Sequence, residues 1–386
     1  MAQRLFMVAG EQSGDARAAG VVRALDEMEP SIRIRGAGGR QMKEAGVELV
    51  RDMAREGVVG LWEVIGKLHY FAESYRQLLS EIRQFAPQAV VLVDFPGFNL
   101  KLARQLKKEG FRVIYYVSPQ VWAWRRYRVR TIRRVVDLML VLFPFERDLY
   151  RGEDVPVAWV GHPLVDEISG SADDRVRSAR EQLGVEEEDT IIGLLPGSRA
   201  SEFHRHYPRM REAVRLIRDR RSVDGIRLPV ASELDRSRVD PLQSEEEAGF
   251  EQWVDGRARE VISCADVILT ASGTTTLEAA LLETPMVVCY RVNPVTWAIG
   301  RMLVQTDHVA LVNIVAGERV VPECIQWQAT PDRLAEETYR LMEPDEHERC
   351  RSRLKRVRDR LGPPGASHRA ARKIRSFLQN KAPRVP

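Results

Sequence analysis

Apolar residues in the first half of the chain gather into short, β-branched runs: Leu5–Ala9, Ala89–Val93, Val113–Val117 and Leu138–Leu142. Between them, Ala16–Met28, Tyr70–Phe85 and Leu100–Glu109 repeat apolar positions with the spacing of one helix face. Buried strands alternating with amphipathic helices predict a parallel sheet covered by helices. The connection at Val160–Ser171 carries Gly161, Pro163, Gly170 and Ser171 and reads as a linker, after which the pattern restarts. Ile191–Leu195, Arg227–Ala231, Asp266–Thr270 and Met286–Tyr290 are predicted strands; Tyr207–Arg220, Leu277–Glu283 and Pro331–Met342 are predicted helices. In the tail, Cys350, Leu354, Val357 and Leu361 share a helix face. Gly362-Pro363-Pro364-Gly365 breaks that helix, a second one carries Ala370, Ile374, Phe377 and Leu378, and disorder is expected after Lys381.

The expectation is an α/β protein with two doubly wound domains at 1–168 and 169–344, followed by helices at 345–380. A chain of 386 residues suits two cores better than one. Composition, at 44% hydrophobic and 30% charged, is ordinary for a globular protein. The longest apolar stretch, Leu138–Phe145, falls far short of the ~20 residues that span a bilayer. The N-terminus lacks a secretory cleavage pattern, so a cytoplasmic protein is expected. Cys264, Cys289, Cys324 and Cys350 have no close spacing of the kind zinc or redox motifs use, so reduced structural thiols are expected.

Charge is unevenly spread. The net value is +4, yet from Asp345 to Pro386 there are thirteen Lys/Arg against four Asp/Glu. A second basic cluster runs through Arg125, Arg126, Arg128, Arg130, Arg133 and Arg134. Such patches suit phosphates, acidic lipid surfaces or nucleic acid, and equally a solvated helix face. Val58–Ile65 is unusually apolar for a segment outside the predicted strands, which fits either a membrane contact or part of the first core.

Candidate chemistry sits where strands give way to helices, the place where parallel α/β sheets bind ligands. Gly10-Glu11-Gln12-Ser13-Gly14-Asp15 combines a tight turn with a hydroxyl beside free helix N–H groups, or simply caps the helix. Asp94, at the end of Val91-Leu92-Val93, stands where a general base belongs. Tyr115–Arg125 brings two tryptophans and an arginine to another strand end, which suits a headgroup boundary, a sugar platform or an ordinary packed loop. Gly197, Ser198 and Arg199 can grip an anion through amides and a guanidinium. In Thr270–Glu278, Ser272, Gly273 and Thr274 make a pyrophosphate cradle at a helix start, and Glu278 stands where a carboxylate could hold ribose hydroxyls. Gly36-Ala37-Gly38-Gly39 follows a predicted strand, Ile32–Arg35, but lacks the third glycine of a dinucleotide fingerprint, since position 41 is Gln41. No metal site is expected: the Asp173-Asp174 pair falls in the charged linker.

With these segments in order, the chain resembles the lipid-A-disaccharide synthases of Gram-negative bacteria. The resemblance rests on GEQSGD (10–15), VDFPGFN (93–99), YVSPQVWAWR (116–125), LFPFE (142–146), VGHPLVDE (160–167), LLPGSR (194–199), ASGTTTLE (271–278), PMVVCYR (285–291) and TDHVALVNIVAGE (306–318). It implies the GT-B architecture, with two Rossmann-like domains facing a cleft and C-terminal helices packing back on the first. It implies an inverting, cofactor-free transfer of 2,3-diacylglucosamine from UDP-2,3-diacylglucosamine to 2,3-diacylglucosamine 1-phosphate, at the cytoplasmic face of the inner membrane, by a peripheral protein. Asp94 would be the base or orient it, with Glu11 and then His162 as further catalytic candidates. Ser13, Asn99 and Asn313 would line the acceptor side, and Arg199, Ser272, Gly273, Thr274 and Glu278 the UDP side. The chain departs from the family at Val312, where proline is usual before the asparagine, at Gln12 for alanine, and at Gly97 for aspartate. A homodimer stays open. Competing expectations are another GT-B enzyme using UDP-N-acetylglucosamine, such as a 2-epimerase or an undecaprenyl-linked transferase, and a nucleic-acid-binding protein using the basic tail.

Overall fold

The apolar runs form strands, and Leu5–Ala9, Ala89–Val93, Val113–Tyr116, Ile191–Leu195 and Val267–Thr270 are buried along their whole length. The structure is a computed structural model describing residues 3–53, 68–122, 128–168, 170–231, 234–242, 249–303 and 306–380. The Val58–Ile65 segment, Arg125, Arg126 and the stretch after Lys381 lie outside the described residues. The chain divides into one unit of Met1–Asp166 with Gly362–Pro386, and another of Glu167–Leu361.

The first unit holds strands β1 (Arg4–Ala9), β2 (Arg33–Gly38), β3 (Glu48–Asp52), β4 (Ala89–Val93), β5 (Val113–Tyr116), β6 (Leu138–Val141) and β7 (Val157–Trp159). They pair in parallel in the order β3-β2-β1-β4-β5-β6-β7. The intervening helices are α1 (Gln12–Met28), α2 (Arg40–Glu44), α3 (Leu68–Phe85), α4 (Pro96–Lys108), α5 (Arg128–Val135), α6 (Pro144–Arg151) and α7 (Leu164–Glu167). Because strand side chains alternate, Phe6, Val8, Val90 and Leu92 fill one core with Leu78, Ile82, Leu102 and Ile132. Their neighbours Leu5, Met7, Val91 and Val93 are buried on the opposite face. Helix α5 turns Val129, Ile132 and Val135 inward and leaves Arg130, Arg133 and Arg134 exposed.

The second unit holds β8 (Ile191–Leu195), β9 (Gly225–Val230), β10 (Glu251–Asp255), β11 (Val267–Thr270), β12 (Met286–Tyr290) and β13 (Glu323–Ile325), parallel in the order β10-β9-β8-β11-β12-β13. Its helices are α8 (Ala172–Leu183), α9 (Ala200–Arg218), α10 (Ala258–Cys264), α11 (Thr275–Leu282), α12 (Pro294–Leu303), α13 (Leu311–Ala316), α14 (Pro331–Leu341) and α15 (Pro344–Leu361). All four cysteines are buried free thiols.

The tail, expected to return whole to the first domain, divides at Gly362. Helix α15 packs against α11, α13 and α14 of the second unit, burying the Cys350, Leu354, Val357 and Leu361 face. Only α16 (Ala366–Gln379) packs on α1. The Asp166 carboxylate accepts from the Gly365, Ala366 and Ser367 amides at 2.5, 3.3 and 3.4 Å, which caps α16 against its own donors and dipole. Arg369 Nε donates to the Val160 carbonyl at 2.7 Å, so the VGHPLVDE segment anchors this last helix twice.

Candidate active site

Strand order reverses direction between β1 and β4 in the first unit, and between β8 and β11 in the second. A parallel sheet opens a crevice at such a switch point, because the loops on its two sides diverge. The register pairs Ala9 with Val93, and Leu195 with Thr270. Motifs more than seventy residues apart in sequence are thereby set side by side: Gly10–Asp15 with Asp94, and Gly197–Arg199 with Ser272–Glu278.

In the first unit the two turns touch. A Cβ on Gly10 would lie 2.4 Å from Phe95 Cδ1, so only glycine lets β1 pass this ring. Asp94 and Phe95 both adopt left-handed backbone, φ 49° and 48°. Strain of this kind persists only where its surroundings hold it. Here the Asp94 carbonyl accepts from Asn99 Nδ2 at 2.8 Å and from the Tyr115 hydroxyl at 2.6 Å. The Asp94 carboxylate accepts from the Phe95 amide at 2.9 Å and pairs with Arg17 Nη1 at 3.4 Å. Burial pushes its pKa above the ordinary carboxylate value, with the Arg17 charge pulling the other way. Helix α1 begins at Gln12, earlier than the apolar spacing predicts, so Glu11 is its N-cap and Ser13 lies in its first turn. Both are exposed. Asp15, by contrast, is buried and accepts from the Gly39, Gln41 and Met42 amides, which fixes the start of α2.

Two of the candidates in this unit are enclosed. Asn99 is fully buried and donates its amide to the Val93 and Asp94 carbonyls, so it holds the Asp94 turn, while its Oδ1 has no partner among the described residues. His162 is 3% exposed, its Nδ1 accepts from the Leu164 amide at 3.2 Å, and burial drives its pKa down to about 3. A neutral, enclosed imidazole bound to backbone is a poor base.

A carboxylate to which the motif reading gave no role lies in the first turn of α6, the helix that follows β6. Glu146 is 2% exposed and accepts from the Phe143 amide at 3.1 Å and from Trp122 Nε1 at 3.2 Å. Burial lifts its pKa to about 7. Beside it Ser118 shares a hydrogen bond of 2.8 Å with Tyr150, and Val117 sits at φ 68°. The Ser118–Trp122 loop is thus tied to the LFPFE turn by a buried polar network.

In the second unit, Gly197 takes φ 120°, where a Cβ would meet the Glu202 side chain at 2.5 Å. Arg199 reaches Glu202 at 3.1 Å and is 59% exposed, an ion pair weak enough to yield to a ligand. His206 is buried. The Arg291 amide donates to its Nε2 at 3.1 Å, so its proton sits on Nδ1, which then donates to the Pro196 carbonyl at 2.9 Å. That neutral ring ties the loops after β8 and β12 together. Helix α11 starts at Thr275 without a side-chain cap, and Thr274 before it is exposed. Ser272 Oγ donates to the Val309 carbonyl at 3.0 Å. Glu278 pairs with Arg259 Nε at 3.2 Å, and Arg259 also grips Glu167. Burial raises the Glu278 pKa, and Arg259 opposes the rise.

Asn313, expected on the acceptor side, is a buried scaffold of the second unit. Its Oδ1 accepts from the Val320 and Val321 amides, and its Nδ2 donates to the Val321 carbonyl and to Glu323 at 2.8 Å. Glu323 in turn accepts from the Val309 and Ala310 amides. The pair therefore shapes the loop on which Ser272 leans. All four hydrogen-bonding positions of the Asn313 amide are used internally, leaving none for a substrate.

Comparison with known proteins matches this arrangement to one family. The family model for lipid-A-disaccharide synthetase matches residues 5–372. The lipid-A-disaccharide synthase of Syntrophus aciditrophicus is 42% identical over 370 residues, covering 95% of this chain and 96% of its own. That of Geobacter metallireducens is 41% identical, covering 98% of each, and that of Myxococcus xanthus 40%, covering 97% of each. The chain belongs to the lipid-A-disaccharide synthetase family. It is accordingly a glycosyltransferase by family. Solved structures share the two-unit fold at low identity. A UDP-GlcNAc 2-epimerase from Neisseria meningitidis, solved with UDP-GlcNAc, superposes with TM-score 0.64 at 12% identity, covering 98% of this chain and all of its own. An Anabaena protein solved with UDP and glucose gives 0.56 at 12% identity, with 98% and 100% covered. The epimerase likeness is one of fold; the sequence relatives carry the synthetase name from end to end.

Within this family frame, the motif reading gave no individual role to Arg17, Tyr115, Glu146, Arg259 and Glu323. Arg17 is one turn into the helix opened by GEQSGD, where a cation beside a strand-end carboxylate was a usable signal. Arg259 and Glu323 lie outside every motif, and only the fold brings them to the site. Among the described residues no group of three or more His, Cys, Asp or Glu could hold a metal ion, and no helix is long and apolar enough to cross a membrane.

Proposed function

We propose that this chain transfers 2,3-diacylglucosamine from UDP-2,3-diacylglucosamine to the 6-hydroxyl of 2,3-diacylglucosamine 1-phosphate, releasing UDP. The observation that carries the reading is Asp94: a half-buried carboxylate of raised pKa, on a strained turn at the switch point of the first unit. Asp94 takes the acceptor proton, or orients the group that does, as the hydroxyl oxygen attacks the anomeric carbon. The bond from that carbon to the β-phosphate oxygen breaks, and a single displacement inverts the centre. Glu11 and Ser13, exposed at the start of α1 beside Asp94, contact the acceptor.

Negative charge leaving with UDP is met in the second unit. Arg199, the Gly273 and Thr274 amides and the start of α11 supply donors and a positive dipole end, which stabilise a departing diphosphate. Ser272 shapes that loop through Val309, and Glu278, oriented by Arg259, holds the ribose hydroxyls. Both sugars carry acyl chains, so the protein works as a peripheral protein at the cytoplasmic face of the inner membrane. The test is mass spectrometry of the product formed from UDP-2,3-diacylglucosamine and the monosaccharide 1-phosphate. A disaccharide 1-phosphate with stoichiometric UDP is expected; epimerised UDP-sugar without a disaccharide overturns the reading.

A further inference from the structure

The basic surplus of the tail has no part in the proposed reaction, and some of it lines a hollow in the second unit. Helix α14 carries Arg333, Glu337 and Arg340 at i, i+4 and i+7, and α15 carries Glu346, Arg349 and Arg353 at i, i+3 and i+7. Each set shares one helix face. With Arg319 they line a cavity of about 350 Å³, at the small end of the range for ligand pockets. Cys350 in its wall lies against the Met286 backbone, where β12 begins, so the hollow sits away from the loops at the strand ends.

Five arginines there face two glutamates. Glu337, 5% exposed, is shared by Arg333 at 2.6 Å, Arg340 at 2.8 Å and Arg319 at 3.8 Å. Glu346 is engaged by Arg349 at 2.8 Å, and Arg353 has no carboxylate partner among the described residues. One nearly buried carboxylate holds three guanidiniums in place, Arg333 also pairs with the exposed Glu336 at 2.7 Å, and the charge of Arg353 stays uncompensated. An arrangement built only for stability would balance its charges, because like charges gathered in a concave wall repel. Guanidinium groups set around a hollow are the donor set that recognises phosphate oxygens.

We propose that this hollow is an anion site for a compact phosphate-bearing group, either a small soluble phosphate or the headgroup of an acidic phospholipid. Arg349→Ala/Arg353→Ala tests it, since neither residue pairs with Glu337, and Arg353→Ala alone serves if the double variant fails to fold. Calorimetry with inorganic pyrophosphate addresses the soluble source. Flotation with phosphatidylglycerol vesicles, against phosphatidylcholine vesicles, addresses the headgroup. Wild type should bind in at least one assay, the double variant should bind about tenfold or more weakly, and Arg349→Lys/Arg353→Lys should keep part of the affinity. Loss of pyrophosphate binding identifies a soluble phosphate site, and loss of flotation alone identifies a headgroup site. Equal behaviour of wild type and the alanine variants in both assays overturns the proposal. So does pyrophosphate binding that Arg199→Ala abolishes and the double variant leaves unchanged, where flotation is also unchanged.

Discussion

Asp94→Asn separates chemistry from structure more cleanly than any other change in this site. The asparagine side chain keeps one oxygen for the Phe95 amide, 2.9 Å away, and leaves untouched the carbonyl held by Asn99 and Tyr115. What is lost for stability is the 3.4 Å pair with Arg17, whose two side chains are 18% and 30% exposed. A partly solvated pair at that length costs about 1 kcal/mol or less. The proton acceptor disappears altogether, and general-base catalysis is commonly a factor of about 10²–10⁴. The expected result is a melting temperature close to wild type, UDP binding retained, and turnover lower by at least about a hundredfold.

The pH profile adds a second reading of the same residue. Burial raises the Asp94 pKa and Arg17 lowers it, so the acid limb of kcat/KM should lie above the ordinary carboxylate range. Arg17→Met removes the lowering charge and should move that limb to higher pH, because the ionised base then appears later in the titration. Product formation from pH 4 to 9 in wild type and both variants measures it. Comparable turnover in Asp94→Asn, or an acid limb that ignores Arg17, would refute the assignment of Asp94 as the base.

Three further outcomes follow from the geometry. The folded-state pKa of Glu146, about 7 against 4.5 for the ordinary side chain, makes the folded protein hold a proton that the unfolded chain has released. That stability is complete below the unfolded value and is lost as pH rises through 7, on the order of 3 kcal/mol; urea midpoints in Glu146→Gln should lose this slope, and an unchanged slope assigns it elsewhere. Gly10→Ala puts a Cβ 2.4 Å from the Phe95 ring, so the turn that presents Asp94 must move; overpacking of about 1–3 kcal/mol and a fall in kcat are expected, partly restored by Phe95→Leu, and wild-type kinetics would show that the ring yields freely. EDTA should leave activity intact, because Arg199 and the start of α11 are proposed to meet the leaving charge; complete loss on chelation with recovery on adding Mg²⁺ would replace that mechanism.

The strands that the apolar runs did not announce are β3, β7, β10 and β13, and these are the four edges of the two sheets. The inner strands β1, β4, β5, β8 and β11 are buried nearly throughout and read as unbroken apolar runs. An edge strand such as Glu48–Asp52 or Glu251–Asp255 keeps part of each face in solvent, so its sequence mixes charge with apolar residues and resembles a loop. The turn chemistry was legible for a related reason. A parallel sheet places every strand end on one side, so GEQSGD, Asp94, Arg199 and ASGTTTLE needed only strand order to come together in two pairs. Strand order itself depends on pairings between segments far apart in sequence, which periodicity does not encode.

Asn99 and Asn313 mark the point where residue type stops informing. A side-chain amide at a strand end serves a ligand or the backbone equally well, because both ask for the same donor and acceptor. For Asn313 what decides is satisfaction: every lone pair and proton is taken by Val320, Val321 and Glu323. Asn99 uses both amide protons on the carbonyls either side of the Val93–Asp94 peptide bond, while its buried Oδ1 has no partner among the described residues. Thr274 and Arg199, by contrast, keep exposed polar groups at a helix start that no side chain caps. Burying polar groups unpaired is costly, so a fold completes the hydrogen bonds of its scaffold and leaves open, at the solvent edge, those that a ligand will complete. Counting hydrogen bonds therefore marks Asn313 as scaffold, and the sequence motif by itself does not distinguish such an amide from one left open at the solvent edge.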